Sequence, residues 1–229
     1  MIEQHMVDTK LLPLGRLGFS NIRKRGKIYV DKTKLICKLA EQDIPFFLSR
    51  PRRFGKSLLI NTIHSLFERG LEDFSGLEIE KKWSDTTYKV VHIDFSRMID
   101  NNIYDLKFTL SKKIIQQFSG NDFYFKFDTQ DLQYPDMILD EMMQKISDYS
   151  LVMLIDEYDA PLIHNINNHD FLKDVENLLN KFYLTIKQYT DKFRFIFITG
   201  IIKASYVSLF SSFNNLIDLS LDDDYNSLL

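Results

Sequence analysis

The feature that most constrains this chain of 229 residues is a short basic turn between an apolar run and an amphipathic segment. The run at 45–48 predicts a strand, and apolar residues at helical spacing over 59–67 predict a helix after the turn. The turn reads Ser49-Arg50-Pro51-Arg52-Arg53-Phe54-Gly55-Lys56-Ser57. Strand, turn and helix in this order, with Gly-Lys-Ser at the end, are typical of the loop G-x-x-x-x-G-K-[ST] that holds nucleotide phosphates.

Each residue of the Gly-Lys-Ser end has a role in such a loop. Gly55 lets the backbone approach the phosphates, Lys56 reaches the β- and γ-phosphates, and the Ser57 hydroxyl ligates Mg²⁺. The helix that follows adds its N-terminal amides and its dipole. The first glycine of the pattern, however, is replaced by Arg50, and arginine does not readily adopt a positive φ angle. The loop residues that we expect at the nucleotide are Arg52, Arg53, Phe54, Gly55, Lys56, Ser57 and Leu58.

A pair of carboxylates follows the most apolar run of the chain, 151–155. In nucleotide-hydrolysing proteins with such a loop, the first of the pair, Asp156, holds the Mg²⁺ coordination sphere, and the second, Glu157, polarises the attacking water as a general base. The alternative is an acidic pair that merely ends a strand at the surface. The presence of Lys56 and Ser57 favours the first interpretation, because the carboxyl ends of parallel strands meet at one rim of a sheet.

A third polar position is Thr199, which ends the apolar run 193–198. If that strand lies between the other two, the hydroxyl of Thr199 is placed to sense the γ-phosphate or the attacking water. The alternative is a strand-end threonine that hydrogen-bonds its own turn. The spacing alone does not decide between them.

The basic cluster Arg50, Arg52, Arg53 and Lys56 has three interpretations: phosphate contact, contact with a nucleic-acid backbone, or a solvated turn. The whole chain has a formal net charge of −3 and a pI near 6.0. It therefore has no global basic signature for nucleic acid or for an anionic membrane.

Strands that alternate with helices predict an α/β fold with a mainly parallel, doubly wound sheet. We expect one domain over 1–229, with an irregular arm and a first helix at 1–44 and the nucleotide-binding core at 45–229. Further strands are predicted at 89–95 and 193–198, helices at 103–118, 136–148 and 170–189, a polar turn region at 72–87, and a loop or insertion at 120–135.

No run approaches the roughly 20 apolar residues of a membrane span, and the N-terminus has no pattern of a secretory signal. The single cysteine, Cys37, lies in an apolar stretch and is expected in the core. These features predict a cytoplasmic protein without membrane contact.

The chain resembles the AAA-ATPase-like family of bacteria and archaea over nearly its whole length. The runs that carry the resemblance are Phe19-Ser20-Asn21-Ile22-Arg23, Tyr29-Val30-Asp31-Lys32-Thr33, the basic turn at 48–57, His92-Ile93-Asp94-Phe95-Ser96, Leu154-Ile155-Asp156-Glu157-Tyr158-Asp159-Ala160-Pro161-Leu162, Phe197-Ile198-Thr199-Gly200 and Leu209-Phe210-Ser211-Ser212-Phe213-Asn214-Asn215-Leu216. Arginine at position 50 is the usual form in this family.

The resemblance implies an ATP-binding fold of the additional-strand type, with ATP and Mg²⁺ as ligands. Lys56 and Ser57 would lie at the phosphates and the metal, Asp156 at the metal, Glu157 at the water and Thr199 at the sensor position. Tyr29 and Asp31 in the N-terminal arm would border the adenine. Family members usually continue into a helical lid and a restriction-type nuclease domain, and we expect this chain, which stops at Leu229, to lack both.

Two functions stay open at this point. The first is a P-loop ATPase that couples nucleotide state to a protein partner, a second copy of itself, or nucleic acid. The second is a non-catalytic nucleotide-binding or interaction module related to ATPase-nuclease proteins. The lid normally helps to clamp the nucleotide, so its absence bears on turnover more than on binding.

Overall fold

The computed structural model describes residues 11–13, 15, 17–119, 126–202 and 216–228. Their strands are β1 (Phe46–Ser49), β2 (Lys89–Asp94), β3 (Leu151–Asp156), β4 (Phe193–Gly200) and β5 (Ile217–Asp218). They form one sheet in the order β2-β3-β4-β1-β5, and all neighbours in it are parallel. The additional strand β4 therefore lies between β1 and β3, and the predicted α/β class is confirmed.

Helices connect the strands and cover both faces of the sheet. They are α1 (Phe19–Lys24), α2 (Thr33–Ala40), α3 (Lys56–Arg69), α4 (Ile103–Ser119), α5 (Pro135–Met143), α6 (Ala160–His164) and α7 (His169–Gln188). Parallel strands need such crossovers, because the chain must return to the same end of the sheet before each new strand.

The alternation of side chains along the strands divides the core into two layers. On β3, Met153 and Ile155 face a layer that includes buried residues of α4, α5 and α7. The neighbouring Val152 and Leu154 face a layer that includes α2 and α3. Every residue of β3 and β4 is buried, as expected for central parallel strands covered on both sides. By the same alternation, Asp156 lies on the α3 side.

At the amino end of β4, the side chain of Arg194 is only 6% exposed and has partners in three directions. Its Nε donates to Asp85 at 2.9 Å, its Nη1 to Asp43 at 3.3 Å, and its Nη2 to the carbonyl of Ala40 at 2.5 Å. The guanidinium also lies 5.5 Å from the centre of the Tyr149 ring. We call this cluster the Arg194 hub.

Several boundaries differ from the sequence-based prediction. Helix α1 lies inside the arm predicted to be irregular, and α5 ends at Met143 instead of continuing to 148. The region 72–87 is not simply a polar turn, because it contains the 3₁₀ helix Glu78–Lys81 and buries apolar side chains. These are Phe74, Leu77, Ile79 and Trp83. Of the predicted loop at 120–135, residues 120–125 lie outside the described part.

Two further sequence-based expectations concern Cys37 and membrane-spanning helices. Cys37 is buried in the layer with α2 and α3, as predicted. Among the residues that the structure describes, no helix is long and apolar enough to cross a membrane.

Candidate nucleotide site

The loop between β1 and α3 ends in a helix start with free backbone donors. Gly55, with φ +89°, is the N-cap of α3 and provides no side-chain cap. The N–H groups of Gly55, Lys56 and Ser57 have no hydrogen-bond partner within the described ranges. Both Gly55 and Ser57 are exposed. Unpartnered amides at the positive end of a helix dipole are donors suited to an anion, so the anion site stays a prediction for this loop.

The side chain of Lys56 is 5% exposed and folds back onto its own loop. Its Nζ donates to the carbonyl oxygen of Arg50 at 2.7 Å and to that of Pro51 at 3.1 Å. Burial lowers the pKa of Lys56, although the carboxylates of Asp156 and Glu157 oppose that shift. The lysine is therefore held close to the rim where β3 ends.

Arg50 has a structural role that explains how the loop tolerates the missing glycine. Its guanidinium donates to the carbonyl of Ser49 at 3.0 Å and to that of Ser220 at 2.6 Å. The positive φ angles of the loop fall on Arg53 (+70°) and Gly55 instead. The expected conflict between arginine and a positive φ angle thus does not occur at position 50, but arises at Arg53.

The other loop residues predicted at the nucleotide point outward. Arg52, Arg53 and Phe54 are exposed, with Phe54 at 55%. Within the described residues, neither arginine forms an ion pair. Leu58 is partly buried and packs against the layer with α2 and α3. The loop therefore presents two unpaired cations beside the free amides.

The carboxyl ends of the neighbouring strands bring the predicted polar residues together. Thr199, at the end of β4, donates its hydroxyl proton to Oδ1 of Asp156 at 2.5 Å, and both side chains are buried. Of the two roles considered for Thr199, a bond within its own turn is not what the structure shows. The hydroxyl instead orients the carboxylate predicted to bind the metal.

Glu157 lies at the edge of the same rim, half-buried, with a φ angle of +51°. Its pKa is raised by burial and by the carboxylates of Asp156 and Asp94, while the cations Lys56 and Arg52 act in the opposite direction. A raised pKa brings a carboxylate closer to the range in which it accepts protons efficiently. A positive φ angle at a non-glycine residue is rare, and such strain occurs preferentially at functional sites.

Two acidic residues at this rim were missed from the sequence. Asp94 ends β2 and is in register with Asp156 on β3, so the rule that located Asp156 applied to it as well. Asp159 is fully buried, and its Oδ2 accepts hydrogen bonds from the amides of Ile201 and Ile202. Burial raises the pKa of Asp159 even though these hydrogen bonds act against the shift. No local pattern of the sequence indicated that the carboxylate of Asp159 would contact Ile201 and Ile202.

The two arm residues predicted to border the adenine lie beside other elements. Asp31 accepts hydrogen bonds from the amide and hydroxyl of Thr33 and from the amide of Glu78. Burial would raise the pKa of Asp31, but these bonds outweigh it and lower the pKa. The ring of Tyr29 packs edge-on against Phe19, with centroids 5.0 Å apart. Asp31 thus ties the arm to the segment at 78.

Comparison with known proteins shows the family of the chain. The family model described as Predicted AAA-ATPase, AAA-ATPase_like, matches residues 13–210. The chain belongs to this family. It is also 32% identical over 224 residues to the uncharacterized protein in the vnfD 5′ region of Azotobacter chroococcum mcd 1.

That alignment covers 97% of this chain but only 43% of the relative, so the chain spans less than half of the relative's length. No solved structure matches the chain. The family and the five-stranded parallel sheet agree on a P-loop nucleotide-binding type of domain.

Proposed function

We propose that this AAA-ATPase-like protein binds ATP with Mg²⁺ and hydrolyses it. One observation carries the proposal: the unpartnered amides of Gly55, Lys56 and Ser57 lie on the rim where β3 ends in Asp156 and Glu157. The amides and Lys56 would bind phosphate oxygens, which is the use that free donors at a helix start have for an anion.

The donor set also fits Mg²⁺, which prefers oxygen ligands. The exposed hydroxyl of Ser57 and the carboxylate of Asp156, held by Thr199, would take part in its coordination. The bound metal would neutralise charge on the phosphates. Glu157 would accept the proton of the attacking water. Thr199 would fix the neighbouring carboxylate of Asp156.

The remaining predicted contacts belong to the same proposal. Arg52, Arg53, Phe54 and Leu58 would flank the phosphates, and Tyr29 and Asp31 would border the adenine. We further propose that a cytoplasmic protein of this kind couples its nucleotide state to a protein partner, a second copy, or nucleic acid. The exposed cations Arg52 and Arg53 support an anionic contact of either kind.

Binding and turnover are tested separately on the purified protein. Lys56→Ala is expected to abolish ATP binding, measured by calorimetry. Glu157→Gln is expected to keep binding but to lower kcat by about 10²- to 10⁴-fold, the usual contribution of a general base. Glu141→Gln is the matched control, because Glu141 lies on α5 and pairs with Lys145 at 3.3 Å.

The outcomes separate the two candidate functions. Wild-type protein that binds ATP without Mg²⁺-dependent phosphate release would support the non-catalytic nucleotide-binding module. One observation favours that outcome. In the free protein the ammonium group of Lys56 already donates to the carbonyls of Arg50 and Pro51. Wild-type protein that binds no nucleotide would contradict both functions.

A further inference from the structure

Asp159 connects the turn after Glu157 to the chain that leaves β4. Its Oδ2 accepts hydrogen bonds from two successive amides, that of Ile201 at 2.7 Å and that of Ile202 at 2.6 Å. The side chain is fully buried, and its Oδ1 is buried without a hydrogen-bond partner among the described residues. A buried carboxylate with one unpartnered oxygen is a poor source of stability. What the carboxylate does is fix two adjacent peptide groups.

Tyr158 fixes the same segment from the other side. Its amide donates to the carbonyl of Thr199 at 3.0 Å, and its hydroxyl donates to the carbonyl of Ile202 at 3.0 Å. A Cβ atom at Gly200 would lie 2.3 Å from a ring carbon of Tyr158, so only glycine leaves room for the ring there. The ring also packs edge-on against Phe47 of β1, with centroids 5.5 Å apart.

The segment 199–202 is thus held between the two halves of the proposed site. The amide of Arg50, at the start of the phosphate loop, donates to the carbonyl of Gly200 at 3.2 Å. On the other side, Tyr158 and Asp159 hold residues 199, 201 and 202. In addition to the pairing of Thr199 with Leu48 of β1, the bonds to Tyr158 and Asp159 therefore oppose a shift of Thr199 relative to Asp156.

We propose that Asp159 is a positioning residue, which fixes the backbone at 201–202 and thereby sets the hydroxyl of Thr199 against the carboxylate of Asp156. The proposal rests on the proposed ATPase function for its effect on turnover. Asp159 acts through Thr199 and Asp156, and does not itself touch the nucleotide or the metal.

The test compares Asp159→Ala with Asp159→Asn, which keeps one oxygen as an acceptor for the two amides. Asn165→Ala is the matched control, since Asn165, at the end of α6, is also a buried polar residue and its side-chain amide donates to the carbonyl of Pro161, four residues earlier. Two measurements are made on each purified variant. The first is hydrogen exchange of peptides covering 196–202 without nucleotide, and the second is the steady-state kcat and KM for ATP.

Asp159→Ala is expected to speed exchange in that peptide and to lower kcat by about 10- to 100-fold, as loss of an outer-shell partner does, with KM changed less than about threefold. Asp159→Asn is expected to recover most of both quantities. Asn165→Ala is expected to leave both the exchange at 196–202 and kcat unchanged, even if it lowers the melting temperature as much as Asp159→Ala does.

Two results would overturn the proposal. Exchange at 196–202 that is unchanged in Asp159→Ala would show that the carboxylate does not hold the segment. Faster exchange with an unchanged kcat would show that the segment does not position the site. If the wild type releases no phosphate, the proposed function has failed and the link to turnover fails with it, while the exchange measurement still decides whether Asp159 holds the segment.

Discussion

Polar groups at the two ends of strand β4 have opposite surroundings, although Thr199 lies only five positions after Arg194. At the amino end, the guanidinium of Arg194 has two carboxylate partners, a carbonyl and an aromatic ring. Beside the carboxyl end, amides of the loop between β1 and α3 have no partner among the described residues. Glu157 there has a strained φ angle and a raised pKa.

The difference shows at which end of the strand the polar groups find their hydrogen-bond partners within the described protein. A buried polar group that has its partners contributes to stability, whereas one without them costs free energy until something supplies a partner. The amino end resembles the first case. At the carboxyl end, the buried Oδ1 of Asp159, which has no partner among the described residues, is an instance of the second, whereas the exposed loop amides remain open to water. Substitutions at the two ends should therefore affect stability with different size and sign, and three of them test the comparison, from the largest effect to the smallest.

Removing the Arg194 hub should have the largest effect on stability. Arg194→Ala removes the contacts to Asp85 and Ala40 and is expected to lower the free energy of unfolding by about 2–4 kcal/mol. The loss stays below that of a fully enclosed ion pair, because the side chain of Asp43 is 62% exposed and water can replace its partner. Urea denaturation measures the change.

The matched control is Lys192→Ala, two residues earlier, which removes the ion pair of Lys192 with the exposed Asp148 at 2.6 Å. A surface pair of this kind contributes little to stability, because water and salt screen it. An Arg194→Ala variant no less stable than Lys192→Ala would remove the contrast between the two ends.

Gly200→Ala should have an intermediate effect and would sharpen the comparison. The added methyl group would overlap the ring of Tyr158, and such overpacking costs about 1–3 kcal/mol. Gly76→Ala is a less suitable control, because the φ angle of Gly76 is +77° and strains any side chain. Gly18→Ala is a better control. The added Cβ would lie 3.0 Å from the side-chain oxygen of Asn61, which can move aside more easily than a buried ring. Equal melting temperatures for Gly200→Ala and the wild type would show that the carboxyl end is less tightly packed than described.

Glu157→Gln should have the smallest effect on stability, and with the opposite sign. A carboxyl whose pKa is raised on folding stabilises the fold below its unfolded pKa, and this contribution is lost as the pH rises through the folded value. The ionised Glu157 therefore destabilises the free protein at neutral pH. Since Glu157 is only half-buried, the gain on substitution by glutamine stays below about 1 kcal/mol.

The pH dependence distinguishes this cause from others. The glutamine variant should melt slightly higher than the wild type at pH 7, and the gain should vanish below the ordinary glutamate pKa of 4.5. Glu141→Gln should show no such gain, because Glu141 has Lys145 as a partner. A gain for Glu157→Gln that grows as the pH falls would contradict the assigned cause.

Much of the sheet was predictable because β1, β3 and β4 are buried on both faces and consist largely of apolar residues. The predicted strand at 151–155 differs from β3 by one residue. The short helices α1 and α6 were missed, since six and five residues show too little periodicity to identify. The two-residue strand β5 likewise depends on pairing with β1, which no local pattern encodes.

The candidate site divides in the same way. The rule that parallel strands end at one rim predicted that the loop at 55–57 and Asp156 would share a rim. It put Thr199 between them on condition that β4 lay between β1 and β3, and the strand order places β4 there. The contacts of Arg50 with Ser220 and of Asp159 with Ile201 join residues far apart in the chain. Such contacts depend on the tertiary fold, so the types of these residues alone did not reveal them.

The hydrogen bonds of Lys56 have a consequence for how strongly the loop can hold any anion. In the free protein the ammonium group already has two acceptors, the carbonyls of Arg50 and Pro51. An ammonium group has three donors, so one remains for an incoming anion, and a fuller contact requires that a carbonyl be released. For an anion that needs the released lysine, the measured affinity would be the intrinsic affinity multiplied by the fraction of molecules in which the lysine is released.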